Sequence, residues 1–283
     1  MAAFFTAAGL SGPVLWLALA VAVLLLLSVA LLAWMGAQRR EAFVGRLPEA
    51  WRSGPRVALV VLAGVGLAGV GTFDEVAENW QQASALEALD RSVNAALGLL
   101  PAGVVAVLRA VTHLGDVATV SVVTLVGLAL LWRWSTRWHA YALALAMGGG
   151  TVWMVLLKAS FARVRPVNVY GAPGFSFPSG HATGSMLLYG FLAWFVATRT
   201  WNAAWRVPLA VLLALVPLAV GLSRIGLSVH WVSDVLGGWV LGLSWLVVSL
   251  VAVHAQASRR SRAPMEDGAA APAPTENLSG SRT

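Results

Sequence analysis

Two histidines, one carboxylate and several cations fall at spacings that could do chemistry together. His230 and Asp234 are four residues apart, so on a helix they share a face. A carboxylate bound to one imidazole nitrogen fixes the tautomer and bares the other, which is what a histidine nucleophile needs. The stretch Pro178-Ser179-Gly180-His181 stands where an apolar run begins. Ser is a good N-cap, and the free N–H groups of a helix start favour an anion. Gly180 lets the backbone come close to that anion, Ser179 adds a hydroxyl donor, and His181 can give or take a proton near neutral pH. Lys158, the one Lys of the chain, and Arg165 bracket a segment that ends at Pro166. A point charge and a planar fork at that separation suit a phosphate. Arg224 is a further oxyanion partner.

Such groups need elements to hold them, and the composition says which kind. Of 283 residues 59% are hydrophobic and only 11% charged, with a mean hydropathy of +0.77, whereas soluble domains carry about 25% charged residues. The expected fold is all-α: a polytopic membrane helix bundle of about seven spans with an amphipathic interfacial helix. The runs long enough, or nearly so, to cross ~30 Å of hydrocarbon are residues 13–36, 57–73, 117–134, 139–157, 182–198, 207–223 and 234–254. The segment AENWQQASALEALDRSVNAAL predicts the amphipathic helix, in a structural role. The domain reading is an extra N-terminal span and basic loop over 1–56, a membrane domain over 57–256, and a disordered tail over 257–283. The first run is too long for a signal peptide's h-region, and its flank lacks the basic n-region, so it reads as a retained span.

Charge orients the bundle. Arg39, Arg40, Arg46, Arg52 and Arg56 follow the first run; Arg133 and Arg137 follow the third, Arg199 and Arg206 the fifth, and Arg259, Arg260 and Arg262 begin the tail. With seven spans these all fall on one side, the cytoplasmic one, together with the C-terminus. Lys158, Arg163, Arg165 and Arg224 fall on the other side against that rule, and cations so placed are expected to be functional. The absence of Cys excludes thiol chemistry and thiolate metal sites. The net charge of +7 is scattered among apolar runs and gives no nucleic-acid face.

The pattern Lys158-x6-Arg165-Pro166, then Pro178-Ser179-Gly180-His181, then Ser223-Arg224-x5-His230-x3-Asp234 resembles the three-part signature of the type 2 phosphatidic acid phosphatase superfamily, with every position filled. The likeness covers roughly residues 60–255. It implies that His230 attacks phosphorus to form a phosphohistidine, that Asp234 orients it, and that His181 protonates the leaving oxygen and then activates water. It implies that Lys158, Arg165, Ser179, Gly180 and Arg224 hold the phosphoryl oxygens, with no metal and no cofactor. The implied substrate is a lipid phosphate or diphosphate, such as undecaprenyl diphosphate, phosphatidic acid or phosphatidylglycerophosphate. It would be hydrolysed at the outer leaflet of a bacterial inner membrane, among membrane lipids and without nucleic acid. A lipid phosphotransferase on the same scaffold and a non-enzymatic lipid carrier are the alternatives. The oligomeric state is not legible.

Plainer readings apply elsewhere. Arg163 lies outside the signature and is expected at the interface, or on a diphosphate or headgroup. His113 reads as structural or interfacial, and His139 and His254 as inner-side groups. Gly148, Gly149 and Gly150 read as helix-packing positions, the 14 Trp as anchors and packing groups, and the Asn277 sequon as a chance match.

Overall fold

The computed structural model describes residues 85–97, 100–166, 173–199 and 201–268. The first two expected spans, the loop between them and residues 269–283 lie outside the described residues. Those described form seven helices: α1 Ala85–Leu97, α2 Ala102–Thr112, α3 Val117–Trp134, α4 Arg137–Phe161, α5 Gly180–Ala197, α6 Ala203–Gly226 and α7 Val232–Gly268, with a 3-10 turn over His113–Gly115. No strand occurs among them.

Four of these helices are long and apolar enough to cross a membrane: α3, α4, α6 and the Val232–Val253 part of α7. A fifth span results if Leu86–Leu97 and Ala102–Gly115 are one broken span. The expected run 182–198 is α5, which is not among the four. Its first turns, Gly180-His181-Ala182-Thr183-Gly184-Ser185, are too polar. It instead lies at the centre and packs on α6, α7, α4 and α3. Leu187, Leu188 and Phe191 of α5 are fully buried against Leu143 and Ala146 of α4 and Leu246 of α7. The outer helices turn apolar side chains outward: Val122, Leu125 and Leu130 of α3, Val152, Val155 and Leu156 of α4, Leu209, Leu212 and Leu215 of α6. Such a surface suits hydrocarbon rather than water.

Small residues set the helix spacing. A Cβ at Gly149 would run into Trp245, and one at Gly150 into Leu187, as the packing reading expects, whereas Gly148 has open space around it. Within the predicted amphipathic segment, α1 buries Leu86, Leu89 and Asp90 at helical spacing and leaves Ala88 and Arg91 exposed. It packs on α6 and α7. Helix α7 runs on to Gly268, into the stretch read as disordered from 257. The sequence there, Ala-Gln-Ala-Ser-Arg-Arg, is rich in good helix formers.

One end of the bundle gathers the C-termini of α4 and α6 and the N-termini of α3, α5 and α7. The opposite end holds Arg133, Arg137, Arg199 and Arg206. There His139 lies 3.1 Å from an Arg199 amino group and 2.6 Å from the Thr136 hydroxyl. It takes no part in the constellation at the other end. The side chain of His254 lies outside the described residues.

Candidate active site

Helix α4 ends at Phe161, ahead of Pro166. Ala162 takes a left-handed conformation, φ 45°, and its N–H bonds to the Lys158 carbonyl at 3.2 Å. The chain then turns back across the bundle end, carrying Arg163 inward and Arg165 over the start of α7. Arg165 is held by its Nε to the carbonyls of Pro173 (3.2 Å) and Gly174 (3.0 Å), and by an amino group to the carbonyl of Val229 (2.8 Å). The same amino group lies 3.1 Å from His230 Nε2.

His230 and Asp234 meet, but not as two residues of one helix. Helix α7 begins at Val232, so His230 reaches back from the loop before it. Its Nδ1 lies 3.3 Å from Asp234 Oδ2, which also accepts the Trp231 N–H at 2.9 Å and so caps the helix. An arginine can only donate, so Nε2 accepts from Arg165 and the ring proton sits on Nδ1, donated to Asp234. The lone pair of Nε2 therefore points toward the Arg165 guanidinium. Burial pushes the imidazole down to about 4 against the opposing pull of Asp234, so at neutral pH the ring is uncharged.

Ser179 occupies the N-cap position of α5, yet its side chain does not cap. The fully buried hydroxyl has no hydrogen-bond partner, and neither has Arg224 Nε. A buried donor left unmade costs about 1–3 kcal/mol, and both belong to residues that the sequence assigns to phosphate. An amino group of Arg224 donates to the Thr112 hydroxyl at 2.9 Å. A Cβ on Gly180 would meet nothing nearer than Met154 at 3.7 Å, so packing alone does not demand glycine there. Lys158 is differently engaged from expectation. Its ammonium donates to the carbonyls of Phe175 (2.6 Å), Pro178 (3.1 Å) and Ser176 (3.4 Å) and so braces the loop that delivers Ser179. The charges of Arg165 and Arg224 act on Lys158, His181 and His230 alike, so the predicted groups do converge.

His181 has a partner that the sequence reading missed. Its Nε2 lies 2.8 Å from Asp116 Oδ1, and the other oxygen of Asp116 lies 2.6 Å from His113 Nδ1. Burial raises the Asp116 carboxyl, but the two histidines outweigh it and hold the group below its ordinary value. For His181, burial and Arg224 disfavour a charged ring, and Asp116 opposes them only in part, so the ring is held below its ordinary value. Asp116 precedes α3, 65 residues from His181, so no local spacing announces the pair. His113 thus has a structural partner, as its plain reading expects. Arg163 departs from both of its readings: it is 6% exposed and pairs with Asp90 at 2.8 Å and Asp234 at 2.7 Å.

Close approach of α7 holds the two halves of the constellation together. A Cβ on Gly238 would stand 2.8 Å from the Ser179 carbonyl, and one on Gly237 2.6 Å from the Phe177 ring. The backbone N–H of Ser179 in turn donates to the Asp234 carbonyl at 3.0 Å.

Residues 137–258 match the family model described as the PAP2 superfamily. Phosphatidylglycerophosphatase B of Bacillus subtilis is 30% identical over 141 residues, covering 48% of this chain and 69% of that protein. The chain belongs to the PAP2 superfamily. The crystal structure of a transmembrane PAP2-type phosphatidylglycerolphosphate phosphatase from Bacillus subtilis aligns at a TM-score of 0.59 and 26% identity, over 68% of this chain and 96% of that one. Aquifex aeolicus LpxE lies further off, at a TM-score of 0.46 and 22% identity, over 57% of this chain and 92% of that one. The PAP2 match spans α4 to α7, and those helices and the loops between them carry every signature residue. Helices α1 and α2 and residue Asp116 precede it.

Proposed function

We propose that this PAP2 protein is an integral membrane phosphatase that hydrolyses a lipid phosphate or diphosphate through a phosphohistidine at His230. The observation that carries the reading is the position of His230, with one ring nitrogen on Asp234 and the other facing Arg165. A binding protein has no need of an imidazole with its tautomer fixed and its lone pair aimed at an anion site. Nε2 attacks phosphorus and the bond to the leaving oxygen breaks. His181 gives that oxygen its proton, then takes a proton from the water that attacks phosphorus, and the P–N bond breaks to release phosphate. Arg165, Arg224, Ser179 Oγ and the N–H groups at Gly180 hold the three peripheral oxygens, the main electrostatic contribution to phosphoryl transfer. Lys158 contributes by bracing the 175–178 loop and by its charge. The reaction as drawn uses side chains, backbone N–H groups and water.

Phosphatidylglycerophosphate is the first substrate to test, because the Bacillus subtilis relative is a phosphatidylglycerophosphatase. Undecaprenyl diphosphate and phosphatidic acid come next. The cations at the end opposite Arg133, Arg137, Arg199 and Arg206 support a site on the outer, periplasmic side, with the C-terminus cytoplasmic. The test is phosphate release by detergent-purified protein on these three lipids, with and without a chelator, beside His230→Ala. The reading expects release from at least one lipid, unchanged by the chelator and absent in the variant. Release by His230→Ala within a few-fold of wild type, or loss to the chelator restored by one metal, would contradict it.

A further inference from the structure

Asp234 does not hold His230 unaided. It is fully buried, and its second oxygen, Oδ1, accepts from an Arg163 amino group at 2.7 Å and lies 3.4 Å from the Ser176 hydroxyl. The other amino group of Arg163 donates to Asp90 Oδ2 at 2.8 Å. Asp90, 1% exposed, comes from α1, ahead of the segment that matches the family model. Ser233 closes the network. Its N–H donates to Asp90 Oδ1 at 3.0 Å, its hydroxyl bonds to Asp90 Oδ2, and that hydroxyl also accepts from Arg163 at 2.7 Å. The Arg163 guanidinium also lies over the Trp231 ring, 5.6 Å from its centroid.

A guanidinium beside a carboxylate tends to pair through two parallel N–H···O bonds. Here that arrangement would take both oxygens of Asp234 and draw Oδ2 away from His230. Asp90 engages the second amino group and Ser233 shares the first, so Arg163 meets Asp234 through one amino group and one oxygen. Oδ2 is left for the imidazole and the Trp231 N–H. The two carboxylates and one guanidinium also sum to one negative charge beside His230. That favours the positive charge which builds on the ring as Nε2 bonds to phosphorus.

We propose that Asp90, acting through Arg163 and Ser233, is a positioning residue for the reaction: it sets the orientation of Asp234 and thereby of the His230 nucleophile. The inference rests on the reading of His230 as nucleophile. Asp90 touches no part of the substrate, so its effect belongs in kcat and not in binding.

The experiment is steady-state kinetics of the full-length protein in detergent on phosphatidylglycerophosphate, and on phosphatidic acid as second substrate. It compares wild type, Asp90→Asn, Asp234→Asn, the double variant and His230→Ala, each checked by thermal unfolding. Asp90→Asn is expected to lower kcat roughly 10-fold with KM unchanged, the scale seen when the partner behind a metal-binding imidazole is removed. Asp90→Glu should restore part of the loss. In the Asp234→Asn background Asp90→Asn should cost nothing further, because its effect runs through that carboxylate. A wild-type kcat for Asp90→Asn, or the same fold-loss in the Asp234→Asn background, overturns the inference. If Asp90→Asn does not fold, Ser233→Ala serves instead, with the same expected kcat loss, and an unchanged kcat overturns the inference equally. Activity in His230→Ala would overturn the nucleophile reading. Inactivity there beside full activity in Asp90→Asn would overturn only the role of Asp90.

Discussion

His230 combines a buried ring, a carboxylate behind Nδ1 and a cation before Nε2. Removing the ring from water disfavours its charged form, so its proton affinity falls from the ordinary 6.5 to about 4. The unfolded chain therefore binds one more proton than the folded chain between those values, and folding stability rises with pH across that window. The wild-type melting temperature should fall as pH is lowered from 6.5 toward 4, and His230→Gln, which cannot titrate, should lose that part of the slope. Equal slopes in the two proteins would mean that the ring is not held neutral. The signature residues were legible from sequence because their spacing is itself the signal: Lys158 to Arg165, Ser179 to His181, Arg224 to His230 to Asp234. The groups behind them were not. Asp90 is 73 residues from Arg163 and Asp116 is 65 from His181. Each is a single acid among others near the same end, and only folding selects it. Ser179 stands at the N-cap of α5 as its position before the apolar run foretold, but its hydroxyl makes no capping bond, which the sequence does not disclose.

At the scale of elements, the apolar runs foretold α3, α4, α5 and α6 within a few residues of their observed ends and α7 at its start, while α7 runs on to Gly268. The helix that is not apolar enough to count as a span, α5, carries the Ser179-Gly180-His181 end of the site. A central helix needs less lipid-facing apolar surface, so its first turns can be polar. Its burial against α4, α6 and α7 supplies what hydropathy does not. The Gly237-Gly238 pair, unremarked in the sequence, brings α7, which follows His230, against residues 177–179. Element ends also give the topology its test. The chain has no Cys, so single cysteines are unambiguous reporters. Val164→Cys, at a position 80% exposed at the site end, should react with a membrane-impermeant maleimide in intact cells. Thr136→Cys, in the exposed turn between α3 and α4, should react only after permeabilisation. The reverse pattern would put the site in the cytoplasm.

At the largest scale, the described helices form an apolar collar around a polar end. Aliphatic side chains of α3, α4 and α6 face outward, and the cations, both acid–imidazole pairs and the unpartnered Ser179 hydroxyl gather where five helix ends meet. A lipid anchored beside that collar would bring its phosphate to the helix ends without leaving the bilayer, which is the physical reason to pair this scaffold with a lipid substrate. PAP2 membership rests on α4 to α7. Asp90 on α1, which bonds to Arg163, and Asp116 before α3, which bonds to His181, lie outside that segment. The central claim is that phosphorus passes through His230. The most direct measurement is a rapid acid-free quench of the protein with phosphatidylglycerophosphate labelled in its terminal phosphate, followed by mapping of the labelled peptide. The account predicts a wild-type label that survives alkali, is lost in acid and maps to His230, and no label in His230→Ala. Phosphate release with no trapped label, or a label retained in His230→Ala, would contradict it.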